Sequence, residues 1–121
     1  MATITTGPDC SGPVKFSNCG FWPIGKTGPQ AILEGTGTTV FSSCHFSGWA
    51  VDGSNAACID VRRGTALIQA CDFMAAGKPQ LRVGPEADGV AITACRLRGG
   101  ERFDIASEAR DRVQSAANLT R

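Results

Sequence analysis

Val14-Lys15-Phe16-Ser17-Asn18-Cys19-Gly20-Phe21 is a stretch that the chain repeats three more times. The copies are Thr39-Val40-Phe41-Ser42-Ser43-Cys44-His45-Phe46, Ala66-Leu67-Ile68-Gln69-Ala70-Cys71-Asp72-Phe73 and Val90-Ala91-Ile92-Thr93-Ala94-Cys95-Arg96-Leu97. Their cysteines stand 25, 27 and 24 residues apart. A period in the twenties, built from strand-forming residues, is the mark of a solenoid: one copy cannot bury its apolar face alone, and stacked copies can. The sequence therefore predicts an all-β fold, a single-stranded parallel β-helix of four to five coils, with residues 1–121 as one domain.

The motif also carries its own phase. Alternation turns Val14 and Phe16, Thr39 and Phe41, Ala66 and Ile68, and Val90 and Ile92 inward together with the cysteines. Phe21, Phe46, Phe73 and Leu97 follow on the same side. The alternation slips at the residue before each cysteine, Asn18, Ser43, Ala70 and Ala94, so a bend is expected there. A second strand per coil is expected over 30–34, 57–61, 80–83 and 102–106, with glycine-rich turns between. Near the end, Val113 to Leu119 reads as a degenerate fifth copy, with Ala117 in the cysteine phase and Leu119 in the phenylalanine phase. A capping helix from Ser107 as N-cap, with Glu108 and Asp111 in its first turns, is the competing reading.

Bulk properties narrow the function classes. A net charge of +1 offers no electrostatic case for nucleic acid or an acidic membrane surface as partner. The start, Met1 to Pro8, has neither a basic cluster nor an apolar run, so no signal peptide or membrane span is read from it. This leaves localisation open between an intracellular chain and a piece of a larger exported protein. Six cysteines without a Cys-x-x-Cys pair, beside a lone His45, do not suit a zinc site. Four of them share one phase of the repeat, which predicts a reduced internal column; Cys10 and Cys58 fall outside it and are the better disulfide candidates.

The run from Val14 to Phe21, continued by Trp22, resembles with its later copies the right-handed parallel β-helix of the pectate-lyase-like superfamily. That superfamily includes polysaccharide lyases, glycoside hydrolases and phage tailspikes. The resemblance covers residues 14 to about 119. It implies a right-handed coil and a structural or carbohydrate-binding module of a polysaccharide-processing protein. Family members carry more coils, so this chain resembles a short relative or the C-terminal part of one. Lyases of the family use calcium held by acidic clusters. The carboxylates here (Glu34, Asp52, Asp60, Asp72, Glu86, Asp88 and Asp104 among them) are scattered, so no metal or other cofactor is expected, with calcium the one candidate.

Three groups of residues are candidates for function. The residue after each cysteine points outward, so His45, Asp72 and Arg96 form a column that could act catalytically, Asp72 orienting His45 and Arg96 holding an acidic sugar or phosphate; Asn118 is the column's fifth candidate. This is the basis of the alternative reading as a polysaccharide lyase or glycoside hydrolase. Trp22 and Trp49 follow their phenylalanines and, if exposed, would stack on sugar rings. Val40, Leu67, Ala91 and Val113, in a row headed by Lys15, form an apolar stripe suited to a homo-oligomer, the third reading being a self-association unit. Pro8 and Pro13 are expected to cover the first open strand edge.

Overall fold

In the computed structural model, residues 2–23, 25 and 28–121 are described. The first coil consists of β1 (Ile4–Thr6), β2 (Val14–Ser17) and β3 (Gly20–Phe21). The second has β4 (Ala31–Leu33), β5 (Thr38–Ser42) and β6 (His45–Phe46); the third has β7 (Ile59–Val61), β8 (Gly64–Gln69) and β9 (Asp72–Phe73). The fourth has β10 (Leu81–Val83), β11 (Ala87–Thr93) and β12 (Arg96–Leu97). A final partial turn adds β13 (Phe103–Ile105), a 3-10 helix (Ser107–Arg112) and β14 (Val113–Ala116). Each strand pairs in parallel with its counterpart one coil away, giving three sheets: β1-β4-β7-β10-β13, β2-β5-β8-β11-β14 and β3-β6-β9-β12. The chain is a β-solenoid of about four turns.

Registry along the axis places like on like. Phe16 pairs with Phe41, Phe41 with Ile68 and Ile68 with Ile92 on the second sheet; Phe21, Phe46, Phe73 and Leu97 align on the third. Phe46 is fully buried and lies face to face with Phe21 at 5.0 Å and with Phe73 at 4.9 Å between ring centroids. Phe41 meets it edge-on at 5.6 Å. Each such pair adds about 0.5–1.5 kcal/mol beyond the area it buries. The first sheet supplies the opposite wall, with Ala31, Leu33, Ile59, Val61, Leu81 and Val83 all buried.

The bend before each cysteine is a left-handed residue. Asn18, Ser43, Ala70 and Ala94 have φ of 56°, 55°, 53° and 54°. This one residue separates the second sheet from the third and restores the inward phase for the cysteine. For a side chain other than glycine the conformation costs about 1–2 kcal/mol. Part of the compensation is visible in the thiols, which bond carbonyls near the bend. Cys71 Sγ donates to Gln69 O at 3.3 Å and Phe41 O at 3.5 Å; Cys44 Sγ donates to Phe16 O at 3.4 Å and Ser42 O at 3.5 Å.

At the corner between the first and second sheets, Gly64 packs against the backbone of the coil before it. Gly64 has φ of +72°, and a Cβ there would fall 2.5 Å from Gly37 O and still closer to Gly35 O. At the opposite corner, buried Gln30 and Gln80 replace missing backbone partners: Gln30 Nε2 donates to Gly48 O at 2.5 Å and Gln80 Nε2 to Gly100 O at 2.9 Å. That corner varies in length from coil to coil, running over 47–58, 74–80 and 98–102.

Three expectations need correction. The fifth copy is a coil, but it sits one residue out of the expected phase. β14 pairs Val90 with Val113 and Thr93 with Ala116, so left-handed Ala117 (φ 58°) continues the bend position and Asn118 takes the cysteine position. Ser107 does not cap a helix: Ala106 is the N-cap, without a side-chain bond, of a single short 3-10 segment leading into β14. Pro8 and Pro13 are exposed and do not lie over the first edge; their loop packs instead beside the next coil, with Cys10 O against Gly35.

Candidate functional site

The outward column of the third sheet forms from the parallel registry. Gly20 pairs with His45, His45 with Asp72 and Asp72 with Arg96, one residue per coil at a rise of about 4.8 Å. Leu119, not Asn118, extends the column by a bridge to Arg96. Asn118 turns inward instead: its Oδ1 accepts from Cys95 N at 2.9 Å and its Nδ2 donates to Ile92 O at 3.3 Å.

At the first coil the column has no side chain of its own, and Trp22 leans over the gap. A Cβ on Gly20 would lie 3.2 Å from Trp22 Nε1. Trp22 is 67% exposed, so its indole faces solvent at the head of the column. At the other end Asp72 Oδ2 lies 3.6 Å from Arg98 Nη2 and 3.9 Å from Arg96 Nη1. Asp72 Oδ1 and Arg98 Nε are buried without a hydrogen-bond partner. Arg96 Nε donates to Arg121 O at 2.9 Å, and Arg96, Asn118, Leu119, Thr120 and Arg121 line a shallow depression there.

The structure brings His45, Asp72 and Arg96 onto successive rungs, but the carboxylate is turned toward the two guanidinium groups. Among the described residues His45 has no carboxylate within 4.0 Å. A general base oriented by Asp72 is thus not assembled. Two guanidinium groups against one carboxylate leave this end of the column with a net positive charge. Arg98 and Arg121 were not singled out from the sequence. Arg98 could have been found by alternation, since it stands two residues after Arg96; the return of Arg121 depends on the last turn.

Trp49 is corrected outright. It is fully buried, edge-on to Phe73 at 6.1 Å, and presents no face to a sugar. Lys78 Nζ holds the backbone beside it, donating to Trp49 O at 2.8 Å and Ala50 O at 3.3 Å. The apolar stripe is corrected at one position. Lys15, Val40, Leu67 and Ala91 do share an outward row, but the register adds Gln114; Val113 lies under Val90, packed against the core.

Other charged groups pair away from this column. On the first sheet Arg62 binds both Glu34, at 2.8 Å, and Asp60, at 3.2 Å, and Arg82 binds Asp104 at 2.9 Å. All six cysteines are free, Cys10 and Cys58 included. Burial pushes the Cys58 thiol well above the ordinary thiol range. The hydrogen bond shared with Cys95, and then burial, do the same to Cys71, and burial raises Cys44. Such thiols stay protonated and are poor nucleophiles. Among the described residues, no three histidine, cysteine or acidic side chains converge as metal ligands.

Comparison of the chain with models of known protein families, with curated proteins and with solved structures finds no match.

Proposed function

We propose that the chain is a non-catalytic structural and binding module of a pectate-lyase-like, polysaccharide-processing protein, and that an extended acidic polysaccharide lies along the outer face of its third sheet. One observation carries this reading. The exposed indole of Trp22, over the bare backbone of Gly20, stands in file with His45, Asp72 and the Arg96–Arg98 pair. An indole face suits pyranose C–H groups, and paired guanidinium groups suit a carboxylate or sulfate. The ladder is straight and open rather than pocketed, which fits a chain ligand better than a small molecule. The orientation of Asp72 toward arginine rather than His45 weighs for binding over hydrolysis or elimination.

Affinity electrophoresis through gels containing neutral or acidic polysaccharides tests the proposal. Retardation is expected in acidic gels, and Trp22→Ala should weaken it about tenfold, equivalent to about 1.4 kcal/mol. Arg96→Ala should abolish the preference for the acidic polymers. Equal mobility in every gel, or retardation unchanged in Trp22→Ala, would defeat the reading. Appearance of unsaturated or reducing ends would replace it with an enzyme.

A further inference from the structure

Two outward files, not one, run along the third sheet. The file through Gly20 continues by way of His45 and Asp72 to Arg96. The residue two places further along each strand turns the same way. That second file holds Trp22, Ser47, Met74 and Arg98. The parallel ladder carries on through it: Ser47 N donates to Phe21 O at 3.0 Å, Met74 N to Phe46 O at 3.0 Å and Arg98 N to Phe73 O at 3.4 Å. Trp22 and Arg98 therefore lie in one file, three rungs apart, about 14 Å at a rise of about 4.8 Å per coil.

Charge is concentrated at one level of these files. Arg96 and Arg98 share the fourth rung, and Asp72 holds the third beside half-buried Met74. The first two rungs, with Gly20, Trp22, His45 and Ser47, carry no carboxylate or guanidinium group. Asp72 Oδ2 lies 3.6 Å from Arg98 Nη2 and 3.9 Å from Arg96 Nη1, so one of the two positive charges is matched and one is left for a ligand. The third rung has no such vacancy. A second ligand anion there would meet the like charge of Asp72 with no cation of its own.

An extended sugar chain advances by about one rung per ring. A ring stacked on Trp22 and a ring whose carboxylate reaches Arg96 and Arg98 are then three residues apart along the chain. Given an acidic polysaccharide on this face, as in the function proposed for it, we propose that the face selects a sparsely charged one. An uncharged sugar stacks on Trp22, uncharged sugars cover the second and third rungs, and a single acidic sugar sits on the fourth. A polymer with an acid on every ring sets a carboxylate against Asp72 and binds less well.

Affinity electrophoresis of the 121-residue chain through gels of one polyuronate, methyl-esterified to graded extents, varies charge density on a fixed backbone. Retardation should be greatest near about one free carboxylate in four sugars and about threefold weaker at full charge. Asp72→Asn should shift the maximum to the fully charged polymer. As soluble competitors, partly esterified trimers should be at least tenfold weaker than pentamers, since a trimer does not reach from Trp22 to the two arginines. Retardation that climbs steadily to the unesterified polymer, or trimers as effective as pentamers, overturns the selection of sparse charge while the binding function stands. Absence of retardation at every charge density overturns the function as well.

Discussion

Replacing alanine by glycine inside regular structure ordinarily destabilises a protein, by about 0.5–1 kcal/mol. At Ala94 the sign should reverse. Its φ of 54° puts the residue in the left-handed region, where a Cβ costs about 1–2 kcal/mol. Ala94 is exposed, so removing the methyl group forfeits little packing. Relief of the strain, less the added freedom of the unfolded chain, leaves a net gain of about 0.5–1 kcal/mol. Ala70 (φ 53°) should behave alike, although the two sites lie on adjacent rungs and their effects need not add. Ala91→Gly, three residues away in β11, is the control and should lose about 0.5–1 kcal/mol. Urea titrations at constant slope measure all three, and the melting temperature of Ala94→Gly should climb by roughly 2–5 °C. If Ala94→Gly is destabilised as much as Ala91→Gly, the left-handed bend does not carry the strain assigned to it.

Phe46→Ala should cost about 3–5 kcal/mol, because the ring is held between two stacked neighbours with no solvent contact; Phe16→Ala, at the open end, should cost less than half as much in the same urea titration. Gly64→Ala adds left-handed strain to a clash with the Gly35 and Gly37 carbonyls and should lose more than about 2 kcal/mol, with the chain failing to express as a monodisperse species if the corner cannot shift. Stability should fall at alkaline pH. Cys44 and Cys58 have folded-state values raised by burial, so their contribution is whole below the unfolded thiol range near pH 8.5 and is lost as the pH rises toward the folded values, at up to about 1.4 kcal/mol per unit for fully buried Cys58. The hydrogen bond between Cys71 and Cys95 raises the one and lowers the other, so that pair acts in opposite directions. Urea midpoints flat from pH 8 to about 10 would contradict that.

The cysteine motif made the coil legible because core packing in a solenoid repeats at a fixed phase. The slip in alternation at Asn18, Ser43, Ala70 and Ala94 coincides with the four left-handed residues that make the bend. The fifth copy went out of phase by one because small Ala117 resembles a cysteine in size, while the position it fills is defined by backbone conformation. β1 was missed since Ile4-Thr5-Thr6 holds a single strongly apolar residue. Trp22 and Trp49 could not be separated from sequence: both lie beyond the third sheet, where the chain leaves the repeat and alternation no longer tells inside from outside. The outer ladder was placed correctly as a file, but side-chain rotamers decided that Asp72 would face Arg96 and Arg98 rather than His45.

The corner that follows the third sheet tolerates unequal spans, and its longest one, over 47–58, carries exposed Val51 to Asn55. Lengthening a surface loop costs only about 0.6 kcal/mol per doubling. That site is therefore where a foreign peptide could be grafted or a tag displayed, while every rung above and below kept its registry.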